Sequence, residues 1–236
     1  AVTLTGGARA SSDYINLGSN LLPKGTTAVT IELWARQDAI QNWSRIFDFG
    51  SSTTENLMMS WSQGTTLASD RVEWKDAVTS TVDNSNQPYT LGTEFHIAMV
   101  IEPNAGPNGT TRVTWYRAPS SSPTLGAARG SFNSTNTLAA FNDSVCWLGR
   151  SQYTSDNTAS ATYNEVRIWH RALSAADLQL LHSIGPDAVL SGNLPVGTPI
   201  SITGSSSVLQ NASGRVMVAG RLNGGAGSEV SLTAGE

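Results

Sequence analysis

The sequence predicts an all-β chain, an antiparallel sandwich or barrel interrupted by one short helix late in its length. Three observations predict it. Apolar and polar residues alternate up to about residue 170, turn-forming residues cut that alternation into short runs, and a single segment carries helical spacing.

The first strand candidate is Tyr14-Ile15-Asn16-Leu17. In residues 29–36, Val29, Ile31, Leu33 and Ala35 share one face and Thr30, Glu32, Trp34 and Arg36 the other, because successive side chains of a strand point to opposite sides. Residues 45–49, 57–61, 71–74, 95–101, 112–116, 145–148 and 165–169 are read as further strands. Between them lie Pro23-Lys24-Gly25, Gln63-Gly64, Asn84-Ser85-Asn86, the Pro- and Gly-rich run 103–109 and Ser120-Ser121-Ser122-Pro123, all turn chemistry. The helix follows. Ser174 and Asp177 have capping-box spacing, Leu178, Leu181 and Ile184 form an apolar stripe, and Gly185-Pro186 stops it. So short a helix must lie against the sheets.

After Pro186 the texture changes. Aromatic residues vanish, Gly and Ser rise, and very short strands alternate with Gly or Asn turns. A segment of this kind builds no deep core alone, so 186–236 is expected to be a small β-solenoid-like tail and 1–185 the sandwich domain. Glu236 follows a strand-like run with no terminating motif, and the chain is expected to be a segment of a longer parent.

Composition bounds the rest. Two hundred and thirty-six residues suit one large sandwich plus an appendage, and seven Trp, five Tyr and five Phe supply a sizeable core. A formal net charge of -4, with 14 basic residues spread thinly, excludes nucleic acid and anionic membrane surfaces as partner classes. The longest apolar runs, such as 97–101, are strand-sized, so no membrane insertion is expected. The single cysteine, Cys146, excludes an intramolecular disulfide and any multi-cysteine zinc site. It sits in the apolar run 144–148, where a buried, inert thiol is expected, and it permits either a cytoplasmic or an exported home.

Four motifs, in order, carry a family resemblance. Asp13-Tyr14-Ile15-Asn16-Leu17, residues 27–35, Phe95-His96-Ile97-Ala98-Met99-Val100 and residues 164–174 (Asn-Glu-Val-Arg-Ile-Trp-His-Arg-Ala-Leu-Ser) resemble the strands of the laminin G-like, concanavalin A-like lectin and glucanase domains. The resemblance implies an antiparallel two-sheet jelly-roll sandwich over residues 1 to about 185, followed by the short helix. The tail, through Ser191-Gly192-Asn193-Leu194-Pro195 and residues 222–228, is similar to the autotransporter-associated β-strand repeats of bacterial surface proteins. That similarity implies export and a secreted or cell-surface location in a bacterium.

The resemblance also sets out what chemistry to seek. Glucanases on this sandwich carry paired carboxylates on one strand, spaced Glu-x-Asp-x-x-Glu, and no such run occurs here. His96, His170 and His182 show no metal-ligand spacing, and no Gly-x-Ser-x-Gly elbow is present. A non-enzyme is therefore expected, with a glucanase or polysaccharide lyase as the remaining alternative. Calcium is the cofactor the family suggests, held partly by an Asp that is Asn164 here, with Asp13 as the other candidate ligand. Asp156 and Asn157 are read as able to compensate.

Aromatic residues outside the alternation point to sugar recognition, in which flat rings stack on pyranose C–H faces and amides bond hydroxyls. The carbohydrate-binding candidates are Trp34, Asn42, Trp43, Trp61, Trp74, Tyr89 and Tyr153, whereas Trp115 and Trp147 are assigned to the core. The expected function is a lectin-like module binding a polysaccharide or glycan. The competing reading is an adhesion or spacer domain that contacts protein or caps a repeat stalk.

Overall fold

The computed structural model describes residues 1–64, 71–76, 79–83 and 87–187; the expected tail lies outside them from residue 188 onward. Two six-stranded sheets face each other. The first runs β1 (Val2–Ala8), β12 (Asn157–Trp169), β3 (Val29–Ala39), β8 (Glu94–Glu102), β9 (Thr111–Pro119), β10 (Gly130–Ser134). The second runs β2 (Ile15–Asn16), β11 (Val145–Leu148), β4 (Arg45–Ser52), β5 (Glu55–Ser60), β6 (Arg71–Asp76), β7 (Thr79–Asp83). Adjacent strands are antiparallel throughout, and the two sheets draw their strands alternately from both halves of the sequence, as in a jelly roll.

The alternation explains the core. Ile31 stands opposite Met99, and Met99 opposite Trp115, so one cross-strand row of the first sheet is wholly apolar. From the second sheet Phe47, Phe49, Leu57, Met59, Trp74, Cys146 and Leu148 meet it, all nearly inaccessible. Each such side chain contributes about 1.5–3 kcal/mol by leaving water.

A second, smaller core covers the outer face of the first sheet. Helix α1 (Ala175–Ile184) begins at Ser174, whose side chain accepts from Asp177 N while the Asp177 carboxylate accepts from Ser174 N. Leu173, Leu178 and Leu181 then pack on Trp34, Ala98 and Val100. The molecule thus has three layers, and one sheet face, the outer side of the second sheet, lies outside both cores.

Three strands were not expected from sequence, and a fourth is longer than expected. β1, β7 and β10 are edge or near-edge strands poor in large apolar residues, and β12 starts at Asn157 because the small Thr158, Ala159 and Ala161 are its buried positions there.

Candidate functional site

On the outer side of the second sheet, register places Trp147, Asp48, Met58 and Glu73 in one cross-strand row, with Arg45, Ser60 and Arg71 in the next. A register shift between Arg45 and Phe47 makes this possible: Ile46 is the extra residue and turns inward, so Arg45 and Asp48 both face out.

The loop after β11 crosses this face. Gly149, at φ 77°, turns the chain where a Cβ would collide with Leu4. Gln152 N then donates to Asp48 Oδ2 at 2.9 Å, Arg45 Nη2 donates to Asp156 Oδ2 at 2.7 Å, and Ser151 Oγ donates to the same oxygen at 2.7 Å. Tyr153 reaches over to the turn between β4 and β5 and to β6: its hydroxyl donates to Thr53 O at 2.9 Å and accepts from Lys75 Nζ at 2.6 Å. Lys75 and Arg71 share Glu73 beneath it.

Trp43 approaches from the other side. Its backbone is held at φ 52° by Trp43 N donating to Gly64 O and Ser44 N to Gln41 O, and Arg45 Nη1 donates to Trp43 O at 2.5 Å. A bulky residue in the left-handed region is costly, and such strain concentrates where a side chain must be aimed. The Arg45 guanidinium lies 5.9 Å from the Trp43 ring centre and 6.0 Å from that of Tyr153, so the two half-buried rings share one fixed cation. Below them Asp48 and Asn56 are completely buried, and Asp48 Oδ1, both amide atoms of Asn56 and Gln152 Nε2 have no hydrogen-bond partner. Burial pushes the Asp48 carboxyl up to about 7 against the opposing pull of Arg45.

Of the seven residues expected to bind sugar, the structure brings Trp43, Tyr153 and Asn42 to this region. Asn42 O accepts from Asn157 N at 2.9 Å, which fixes the turn that carries Trp43. The other four are inside. Trp34 does face away from the main core, as its alternation implies, but α1 covers it between His96, stacked at 4.1 Å, and the Arg167 guanidinium at 4.5 Å. Trp61 and Tyr89 meet edge to face at 4.9 Å in the main core, and Trp74 meets Phe141 there. Trp147 reverses the expectation in the opposite direction. It faces outward, half-buried, with Tyr14 packed edge-on at 5.7 Å. A second cleft, about 350 Å³, is lined by Thr26, Asn104, Asn108, Thr110, Thr111 and Thr137, but no aromatic or charged side chain lines it.

Comparison with known proteins agrees with this architecture. A family model described as the concanavalin A-like lectin/glucanases superfamily matches residues 9–179, well over half the chain. The chain belongs to the concanavalin A-like lectin/glucanase superfamily. Among solved structures it resembles domain 4 of AbnA, a GH43 extracellular arabinanase from Geobacillus stearothermophilus, in complex with arabinotriose: 12% identity, TM-score 0.51, covering 76% of this chain and 81% of that one. It also resembles the binding domain of botulinum neurotoxin DC in complex with SialylT, at 10% identity and TM-score 0.51, covering 79% of this chain and 43% of that one. Such identities establish a shared fold. No curated protein sequence matches.

Concanavalin A-like chains include glucanases and lectins, and the placement of carboxylates bears on which this chain is. Glu32 accepts from Trp169 Nε1 at 2.9 Å and lies 2.9 Å from His96 Nε2, but Glu32 and His96 are wholly enclosed beneath α1. Asp48 and Glu73 share a row two strands apart; Asp48 is sealed under Gln152, and Glu73 is spent on Arg71 and Lys75. Neither pair presents two carboxylates to a common open point, as hydrolysis of a glycosidic bond requires.

The calcium ligands this family suggests do not come together. Asp13 is exposed in the segment between β1 and β2, beyond the Ala8 end of β1 that pairs with Asn157, whereas Asn164 sits seven residues further along β12. Asn164 Nδ2 instead donates to Glu94 Oε1 at 3.1 Å. Asp156, read as able to compensate, is held by Arg45 and Ser151, and Asn157 Nδ2 donates to Gln41 Oε1. Among the described residues no group of three or more His, Cys, Asp or Glu could hold a metal ion.

Proposed function

We propose that this chain is a non-catalytic, lectin-like module that binds a polysaccharide or glycan on the outer face of the second sheet. The observation that carries the reading is the pair of half-buried rings, Trp43 and Tyr153, that share the Arg45 guanidinium beside unpaired buried amide and carboxyl atoms. The rings supply stacking surface for sugar C–H faces, and Arg45, pinned by Asp48 and Asp156, cannot swing away to fill the gap itself. The burial of Asp48 beside Glu73, and of Glu32 beneath α1, favours binding over cleavage.

Sugar-binding activity of this kind suits an exported or cell-surface setting, and no helix among the described residues is long and apolar enough to cross a membrane. A glycan array tests the reading. Wild-type protein retains signal on at least one polysaccharide, and Trp43→Ala and Tyr153→Ala each weaken it about ten-fold or more. Since Asp13 and Asn164 lie apart, the signal persists in chelator. Silence of the wild type on every glycan returns the molecule to the second reading, a spacer or adhesion domain, which the burial of Trp34, Trp61, Trp74 and Tyr89 favours.

A further inference from the structure

We infer that the preferred glycan is acidic, and that its carboxylate or sulfate groups are held by Arg9 and Arg150 beside Trp147 and Tyr14; this rests on the reading of the face as a glycan site. These four residues lie where the loops after β1 and β11 converge on the same outer face. The Arg150 guanidinium sits 4.2 Å from the Tyr14 ring centre and 5.3 Å from that of Trp147, and Arg9 sits 5.6 Å from Trp147. The rings are therefore faced by cations.

What distinguishes this pair from every other arginine of the face is the missing counter-charge. Arg45 has Asp48 and Asp156, and Arg71 has Glu73. Among the described residues, Arg9 and Arg150 have no carboxylate within ion-pair distance. An arginine offers five N–H donors. Arg9 spends one, Nε, on Ser151 O at 2.7 Å; among the described residues the Arg150 side chain makes no hydrogen bond, and its Nε is buried and unpartnered. Arg9 is held below its ordinary value, first by burial and then by the Arg150 charge, while Asp48, Tyr14 and Asp156 pull the other way. Two mutually repelling guanidinium groups with unused, forked donors over aromatic rings are complementary to an oxyanion, which would neutralise both and take up several donors at once. A neutral sugar has nothing to give them. That the chain carries a net charge of -4 makes a positive patch on this face a local arrangement, not a consequence of composition.

The test measures binding of polygalacturonate and of the same polymer with its carboxyls reduced, and of dextran sulfate against dextran, at about 0.05 and 0.3 M salt. Wild-type protein binds at least one acidic polymer about ten-fold or more tightly than its neutral counterpart, with the gap narrowing in salt. Preference in the first pair assigns carboxylate, in the second sulfate. In Arg9→Gln/Arg150→Gln, and to a lesser degree in Arg150→Gln alone, the ratio falls toward one while the unfolding midpoint stays near wild type. Equal affinity of the wild type for acidic and neutral forms, or an unchanged ratio in the double variant, overturns the acidic preference. In either case loss of binding in Trp43→Ala would still sustain the glycan site. Binding to none of the four polymers overturns the acidic preference, and the glycan site itself then stands or falls on the glycan array.

Discussion

His96 and His182 meet through their Nδ1 atoms, 3.2 Å apart, in rings stacked 14° from parallel. One ring belongs to β8 and the other to α1, so this contact joins the helix to the sheet it covers. His182 Nε2 lies 2.9 Å from Ser122 O, which can only accept, so that nitrogen carries hydrogen, and the contact between the two Nδ1 atoms is completed by one hydrogen between them. His96 Nε2 faces Glu32 Oε1, and Glu32 is also within 3.7 Å of Arg167. The result is a linear relay of hydrogen bonds from loop to helix to sheet, closed to solvent and without a converging point for a metal.

The relay predicts how stability depends on acidity. Burial holds His182 below its ordinary value, against the Ser122 carbonyl and with His96 adding to the lowering. An unfolded histidine takes up its proton near pH 6.5, earlier than the folded one as pH falls. Stability present above that pH is therefore lost as acid is added, by up to about 1.4 kcal/mol per pH unit for one proton. In His182→Gln this loss disappears, so the stability difference between wild type and variant shrinks from pH 7 to pH 5. Denaturant unfolding at the two pH values measures it, and parallel curves would remove His182 from the account.

Asp48 acts with the opposite sign. Its folded carboxyl titrates near 7 and its unfolded one near the ordinary 3.8, so between these values the folded state holds the extra proton. The contribution is complete below about pH 4 and lost as pH rises through 7. Asp48→Asn keeps the shape and the acceptor for Gln152 N without the titration. It gains stability relative to wild type from pH 4 to pH 8, most steeply between 5 and 7, as denaturation across that series reads directly; a flat difference would refute it.

Much of the fold was legible because period-two alternation is a direct consequence of strand geometry, and the helix because Ser174 and Asp177 satisfy each other's backbone. What alternation hides is phase in a wholly apolar run. In Val145-Cys146-Trp147-Leu148 nothing polar marks the outer side, so Trp147 read as core when Cys146 and Leu148 are the inward pair. The error at Trp34 has another cause. Its outward direction was right, and only tertiary packing could reveal that α1 lands on it. Trp43 and Tyr153 were readable from their polar neighbours, Gln41-Asn42 and Ser151-Gln152; the Arg9–Arg150 pair, separated by most of the chain, was not.

Cys146 is predicted to be silent in the folded protein. The side chain is fully buried in the main core, its Sγ lies 3.7 Å from Asp143 O, and burial, followed by the nearby Asp143 charge, pushes the thiol up to about 12. A thiol reagent at pH 8 should label no residue per chain in buffer and one in denaturant; prompt labelling in buffer would contradict the placement of β11.

The sharpest contrast is between two kinds of tryptophan. Trp61 fills the main core against Tyr89 and Tyr163, its Nε1 donating to the Tyr163 hydroxyl at 3.4 Å, so Trp61→Ala should cost about 3–5 kcal/mol in denaturant unfolding. Trp43 occupies the left-handed region at φ 52°, half-buried, where the backbone itself favours glycine. In Trp43→Gly the relief of that strain and the greater freedom of the unfolded glycine oppose each other, leaving stability within about 1 kcal/mol of wild type. Glycan binding, by contrast, should fall about ten-fold or more. This split between a cheap fold and a lost ligand is what a ring kept for recognition must show. If Trp43→Gly costs as much stability as Trp61→Ala, the ring is a structural member, and the platform it forms with Tyr153 loses its claim to be a binding site.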